Sequence, residues 1–141
     1  MTFAEDVNYW RTGQRDPDTL LDHAERHIVD AGGTIDARGI GRFGGNESVL
    51  LGFTIGGERF RITWPVLKTR NDDDRAMRRA ARIQAATFVL HDVKAKSLAA
   101  QVLGWRSAMM PYLLTANGRT LSELSAPELE SCLPKLLPER T

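Results

Sequence analysis

Apolar residues recur every three or four positions across residues 17–31, a spacing that predicts an amphipathic helix. The apolar positions of this stretch are Leu20, Leu21, Ala24, Ile28 and Ala31. Asp16 stands where an N-cap is expected, and Pro17 is a common first helical residue. Gly32 and Gly33 follow as a stop signal. The pattern therefore predicts a helix between the aspartate and the glycine pair.

Three short stretches after this helix predict β-strands, at residues 34–40, 49–55 and 58–64. Turn signals separate them, namely GGN at 44–46 and the glycine pair at 56–57. The third strand alternates most clearly between an apolar and a polar face. Its apolar positions are Phe60, Ile62 and Trp64, and its polar positions are Arg59, Arg61 and Thr63. We expect a sheet with one core face and one arginine-bearing face.

A long helix is predicted from the three aspartates at 72–74 to about Leu103. At 100° per residue, four arginines of its first half fall on one face. These arginines are Arg75, Arg78, Arg79 and Arg82. Beyond Ile83 the helix is apolar nearly all round. Its second half is therefore predicted to be covered on both sides, either by the C-terminal segment or by another subunit.

Two capping-box spacings near the C-terminus, Thr120 with Glu123 and Ser125 with Glu128, predict two short helices. The whole pattern predicts an α+β fold with an α-β-β-β-α core. In this fold a long helix packs on a three-stranded antiparallel sheet, and short helices close the chain. Residues 1–16 show no sustained period and are predicted to be an N-terminal tail. Residues 17–141 are predicted to form a single domain.

The composition is that of a globular domain, with 141 residues, 42% hydrophobic and 26% charged. No apolar run approaches the roughly 20 residues that a bilayer requires. The first ten residues lack the basic and apolar parts of a signal peptide. Cys132 is the only cysteine, which excludes a disulfide framework. These features predict a cytoplasmic protein without a membrane segment.

Charge is distributed unevenly along a chain whose net charge is only +1. Residues 1–58 hold five basic residues against ten acidic ones, and residues 59–106 hold eleven against four. A segment biased in this way can create a local positive surface on a nearly neutral protein. The alternative is that these charges are paired with the acidic N-terminal third.

Eight basic residues of the middle segment form the predicted nucleic-acid-binding set, because Arg and Lys bind phosphates and release counterions. They lie on the third strand, in the loop after it and on the arginine face of the long helix. They are Arg59, Arg61, Lys68, Arg70, Arg75, Arg78, Arg79 and Arg82. If the helix packs beside the third strand, all eight border one groove. Phe43, in the glycine-rich turn beside Arg42, is predicted to stack on a base, the alternative being that it folds back onto the core.

No constellation typical of catalysis stands out. Residues 39–44, GIGRFG, match the letters of a dinucleotide-binding motif, but a strand rather than a helix is predicted to follow. His23 and His27 are four residues apart without an evident third metal ligand. No Ser, Cys or Lys is accompanied by a clear base and orienting partner. We expect no enzyme activity, no catalytic residue, and no metal or cofactor.

Three short motifs of the chain read RFRITWP, RAMRRAARIQAATFVLHDVKAK and GRTLSEL. With these motifs the chain from Phe60 to Glu123 resembles small proteins encoded by phages and prophages. The resemblance covers under half of the chain and implies a phage origin without bringing an activity. In topology alone, the α-β-β-β-α order is similar to the core of single-strand annealing proteins, whose β-β-β-α unit lines a basic groove and whose subunits form rings or filaments. It is also similar to the double-stranded-RNA-binding domain, but aspartates stand here where that domain places basic residues.

Together these observations predict a phage-encoded protein that binds nucleic acid, with single-stranded DNA favoured. It is expected to form a homo-oligomer and to assist strand annealing in replication or recombination. The alternative is a non-enzymatic protein-interaction module, such as an accessory factor that binds a host protein. In that case the arginine face binds carboxylates, and the apolar half of the long helix is a subunit interface.

Overall fold

A computed structural model describes residues 1–13, 15–43 and 45–136 of the chain. The main elements are α1 (Pro17–Asp30), β1 (Thr34–Phe43), β2 (Asn46–Ile55), β3 (Glu58–Pro65), α2 (Arg75–Leu103), α3 (Trp105–Ala108) and α4 (Ala126–Leu136). Single 3-10 turns lie at Ala4–Asp6, Met110–Tyr112 and Leu121–Glu123. The predicted α+β class and the α-β-β-β-α order are confirmed. No helix within the described ranges is long and apolar enough to cross a membrane.

The sheet is antiparallel with the strand order β1-β2-β3. Leu51 pairs with Ile62 and Phe53 pairs with Phe60 across β2 and β3, and all four side chains are buried. The two phenylalanine rings stack with centroids 5.4 Å apart. Because side chains alternate along a strand, the neighbours of these residues point to the opposite face, which we call the outer face. The predicted alternation of β3 is therefore confirmed.

Both long helices pack on the apolar face of the sheet. α1 buries its apolar stripe, including Leu21, Ala24 and Ile28, which are fully buried. α2 buries small residues such as Ala81 and Ala86 beside Val89 and Val93. Small side chains let a helix approach its neighbours closely, and α1 and α2 form the most extensive helix contact of the described chain. The core thus lies between the sheet and this helix pair.

The segment before α1 packs against the domain and does not form the N-terminal tail that the sequence predicts. Ala4 is fully buried, and its N–H donates to the carbonyl of Lys68 over 2.9 Å. The amide nitrogen of buried Gln84 lies 2.8 Å from the Ala4 carbonyl oxygen, and it also donates to the carbonyls of Val7 and Asn8. The acceptors are backbone carbonyls, which every residue has. The pattern of side-chain types along the sequence therefore could not reveal this contact.

The second half of α2 is not covered as predicted. Leu98, Val102 and Leu103 remain exposed, Val102 by 85%. Gly104 then turns the chain, and the following segment runs to the free edge of β3, where Leu114 N–H donates to the Arg59 carbonyl. Because that segment lies along β3, it leaves the end of α2 bare within the described residues.

The two predicted capping boxes differ in outcome. Ser125 N–H and hydroxyl both donate to the Glu128 carboxylate, and Glu128 N–H donates back to the hydroxyl, so α4 begins as predicted. Thr120 makes no side-chain cap, and only the 3-10 turn Leu121–Glu123 follows it. The Glu123 carboxylate accepts hydrogen bonds from Arg61.

Candidate nucleic-acid interface

The fold does not bring the eight predicted basic residues to one groove. Arg59 and Arg61 alternate with buried Phe60 and Ile62, so they lie on the outer face of the sheet. α2 lies on the other face and carries its four arginines there. The strand arginines and the helix arginines are therefore separated by the sheet itself.

The loop before α2 is held together by two of the three aspartates. Asp74 caps α2, because its carboxylate accepts hydrogen bonds from the N–H groups of Ala76 and Met77. Asp72 accepts from the backbone N–H and the hydroxyl of buried Thr69 at 2.8 and 3.0 Å. The hydrogen bond from the Thr69 backbone is the main cause that lowers the pKa of Asp72. These two carboxylates are thus engaged within the loop.

Glu47 of β2 accepts hydrogen bonds from two of the helix arginines. Arg78 donates to it over 2.9 Å, and Arg82 donates to its second oxygen. Arg78 also donates to Asp72 and to the Leu67 carbonyl, and its side chain is only 16% exposed. Partial burial alone would raise the pKa of Glu47, but the hydrogen bonds from Arg82 and Arg78 outweigh it and hold that pKa below its ordinary value. This cluster joins α2 to the sheet.

Three more residues of the predicted set have carboxylate partners. Arg70 donates from one guanidinium nitrogen to both carboxylate oxygens of Asp6, Arg79 pairs with Asp16, and Arg61 pairs with Glu123. Most of these acids belong to the first 58 residues of the chain. The opposite charges that are segregated along the sequence are therefore largely paired in the fold.

Three residues of the predicted set, Arg59, Lys68 and Arg75, have no ion pair with any residue that the structure describes. Arg42 of β1 is a further exposed cation of this kind, and it was not in the predicted set. Its only sequence signal is its place beside the β1–β2 turn.

Most of these cations line two adjoining depressions of the surface. One is lined by residues that include Arg42, Lys68 and Arg78, and the other by residues that include Arg75 and Arg79. Arg78 and Asp72 border both, so the depressions form one continuous surface. We call it the α2 basic surface, and its cations are Arg42, Lys68, Arg75, Arg78, Arg79 and Arg82.

Phe43 lies at the end of β1, and 37% of its surface is exposed. Its ring lies over the glycines of β1 on the outer face, since a methyl group on Gly41 would meet the ring at 3.7 Å. The ring does not fold onto the hydrophobic core. Phe43 and Arg42 point to opposite sides of the hairpin, because they are neighbours on one strand.

Residues 39–43 of the glycine-rich stretch belong to β1, and the antiparallel strand β2 begins at Asn46, which fits the hairpin interpretation rather than a dinucleotide site. His23 and His27 both lie on α1. Among the described residues, no three His, Cys, Asp or Glu side chains are grouped closely enough to hold a metal ion. Comparison of the chain with protein-family models, curated proteins and solved structures finds no match.

Proposed function

We propose that the protein binds nucleic acid through the α2 basic surface, with single-stranded DNA favoured. The proposal rests on three cations that have no carboxylate partner in the described chain, Arg42, Lys68 and Arg75. They line two neighbouring depressions that share Arg78. A phosphate backbone that follows this surface meets several cations in succession.

The existing ion pairs do not prevent this role. The Arg79 and Arg82 side chains are 54% and 43% exposed, so water screens their pairs with Asp16 and Glu47. Exposed pairs of this kind typically contribute about 0–1 kcal/mol. Phosphate oxygens compete with such carboxylates for the same guanidinium groups, since both are bidentate acceptors.

The preference for single strands rests on Phe43 at the hairpin end. Its ring lies on the outer face, so a strand bound to the α2 basic surface reaches it by passing around the end of the β1–β2 hairpin. A partly exposed ring offers a base a stacking surface, and each such stack is typically worth about 1–3 kcal/mol. Bases can reach the ring only where they are not already stacked in a duplex. We propose in addition a phage origin and a part in strand annealing, on the basis of the motif resemblance and the α-β-β-β-α order.

Fluorescence anisotropy with a labelled oligothymidine tests the proposal. We expect micromolar binding at about 50 mM salt and a steep loss of affinity at about 200 mM salt, because phosphate contacts release counterions. Replacing Lys68 and Arg75 together by Gln should weaken binding at least about tenfold. Arg59→Gln is the control, because Arg59 is an exposed cation on the outer face and has no carboxylate partner among the described residues. Absence of binding by the wild type at about 50 mM salt, or an equal loss in both variants, overturns the proposal.

The exposed apolar end of α2 favours a second candidate, a protein-interaction module. Leu98, Val102 and Leu103 are 59%, 85% and 60% exposed on consecutive turns of one helix. Exposed apolar side chains grouped in this way are typical of protein contacts. A second copy of this chain is the partner expected for a homo-oligomer, and a host protein is the other expected partner.

A further inference from the structure

All three histidines of the chain line one groove between α1 and α2. His23 and His27 come from α1, and His91 comes from α2. The first two share a helix face because they are four residues apart. His91 is 64 positions beyond His27, so only the fold brings it to them. The proposed nucleic-acid site does not use any of the three.

The groove has a defined construction. Leu90 contributes an apolar part of its lining beside His91. The ring of His91 stacks on the ring of Tyr9, with centroids 5.0 Å apart and planes 13° apart. The N-terminal segment thus contacts His91 without lining the groove. At the start of α1, a guanidinium nitrogen of Arg15 lies 3.3 Å from the Nδ1 of His23.

The permanent charges of the groove are mostly positive. Arg15 precedes α1, Arg26 stands on the α1 face between the histidines, and Lys94 lies one turn after His91. None of these three cations has an ion pair with a residue that the structure describes. Asp30 is the single carboxylate among the described lining residues. The α2 basic surface, in contrast, contains the carboxylates of Glu47 and Asp72.

We propose that this groove binds a small anion with several phosphate groups. Cations on both helices can contact successive phosphates. The three imidazole rings line the same groove and can donate hydrogen bonds to phosphate oxygens. The groove shares no lining residue with the α2 basic surface. The groove is a site separate from the proposed nucleic-acid surface.

Isothermal titration calorimetry with tripolyphosphate tests the proposal at low salt and about pH 7. We expect the wild type to bind. Replacing Arg26 and Lys94 together by Gln should weaken binding at least about tenfold, because two of the cations that line the groove are removed. Replacing the three histidines by Gln should weaken binding by less, because each change removes a hydrogen-bond donor rather than a permanent charge.

The Lys68 and Arg75 double variant described above is the control, and its affinity for tripolyphosphate should match that of the wild type. The same groove variants should keep oligothymidine binding, which separates this proposal from the nucleic-acid proposal. Nuclear magnetic resonance of the wild type gives a second measurement that does not depend on any variant folding. The ring signals of all three histidines should shift on titration with tripolyphosphate. Absence of tripolyphosphate binding by the wild type, unshifted histidine signals, or a parallel loss of oligothymidine binding overturns the proposal.

Discussion

The carboxylate of Glu47 links strand β2 to helix α2. It is the only carboxylate of the described chain that accepts hydrogen bonds from two arginines of α2. Those arginines lie 31 and 35 positions away in the sequence. Helical spacing placed Arg75, Arg78, Arg79 and Arg82 on one face correctly, because helix geometry is local. It could not reveal their acidic partners, because the pairing depends on how distant segments pack.

We predict that Glu47→Gln lowers the free energy of unfolding by about 1 kcal/mol at neutral pH, because Arg78 loses a charged partner at a site where it is little exposed. The pKa of Glu47 is depressed in the folded state. Its contribution is therefore fully present above the ordinary value of about 4.3 and is lost as the pH falls through the folded pKa. As the pH is lowered, the free energy of unfolding measured with urea should therefore fall less for the variant than for the wild type. Glu130→Gln, at an exposed position of α4, should change neither quantity.

The same substitution should strengthen oligothymidine binding if the proposed function is correct. Gln at position 47 leaves Arg78 and Arg82 without their shared carboxylate and adds one net positive charge to the α2 basic surface. Affinity should rise by about two- to tenfold at about 50 mM salt while stability falls. Unchanged or weaker binding, measured by anisotropy on protein that is still folded, would contradict the assignment of this surface.

At the scale of the elements, the side chain of Gln84 holds the N-terminal segment on α2. We predict that Gln84→Met lowers the free energy of unfolding by about 1–3 kcal/mol, because a buried donor to the carbonyls of Ala4, Val7 and Asn8 is removed. Trypsin should then cleave faster after Arg11, as seen by mass spectrometry. Gln101→Met is the matched control, an exposed position on the same helix. Equal cleavage rates in the two variants would show that Gln84 does not hold the segment.

The elements that the sequence predicted well are those with a strong internal period. α1, β3 and α2 lie within a few residues of their predicted bounds, because burial of one face repeats along each of them. β1 and β2 are longer than predicted, since their ladder continues to the pair Phe43–Asn46 at the turn. The docked N-terminal segment was missed because it binds through backbone groups. The histidine groove was missed because His91 joins it only after α1 and α2 pack.

At the scale of the whole molecule, the apolar end of α2 predicts self-association. Multi-angle light scattering should show a dimer or larger species at about 100 µM protein, a concentration that detects weak contacts. Val102→Glu should shift the protein toward the monomer without loss of stability, since that side chain is 85% exposed. Gln101→Glu adds the same charge one residue away and should have little effect. A wild type that stays monomeric at this concentration rules out a second copy as the partner and leaves a different protein as the expected one.

The docking of the N-terminal segment also has a consequence for the order of events during synthesis. Ala4 leaves the ribosome 80 residues before the Gln84 side chain that binds its carbonyl. At typical elongation rates that interval is roughly 4 to 16 s. For this time the Ala4 carbonyl, whose place in the finished core is fully enclosed, lacks the side-chain amide that binds it. Closure of this long chain loop is thus expected to be a late step, taken only after the helix pair has formed.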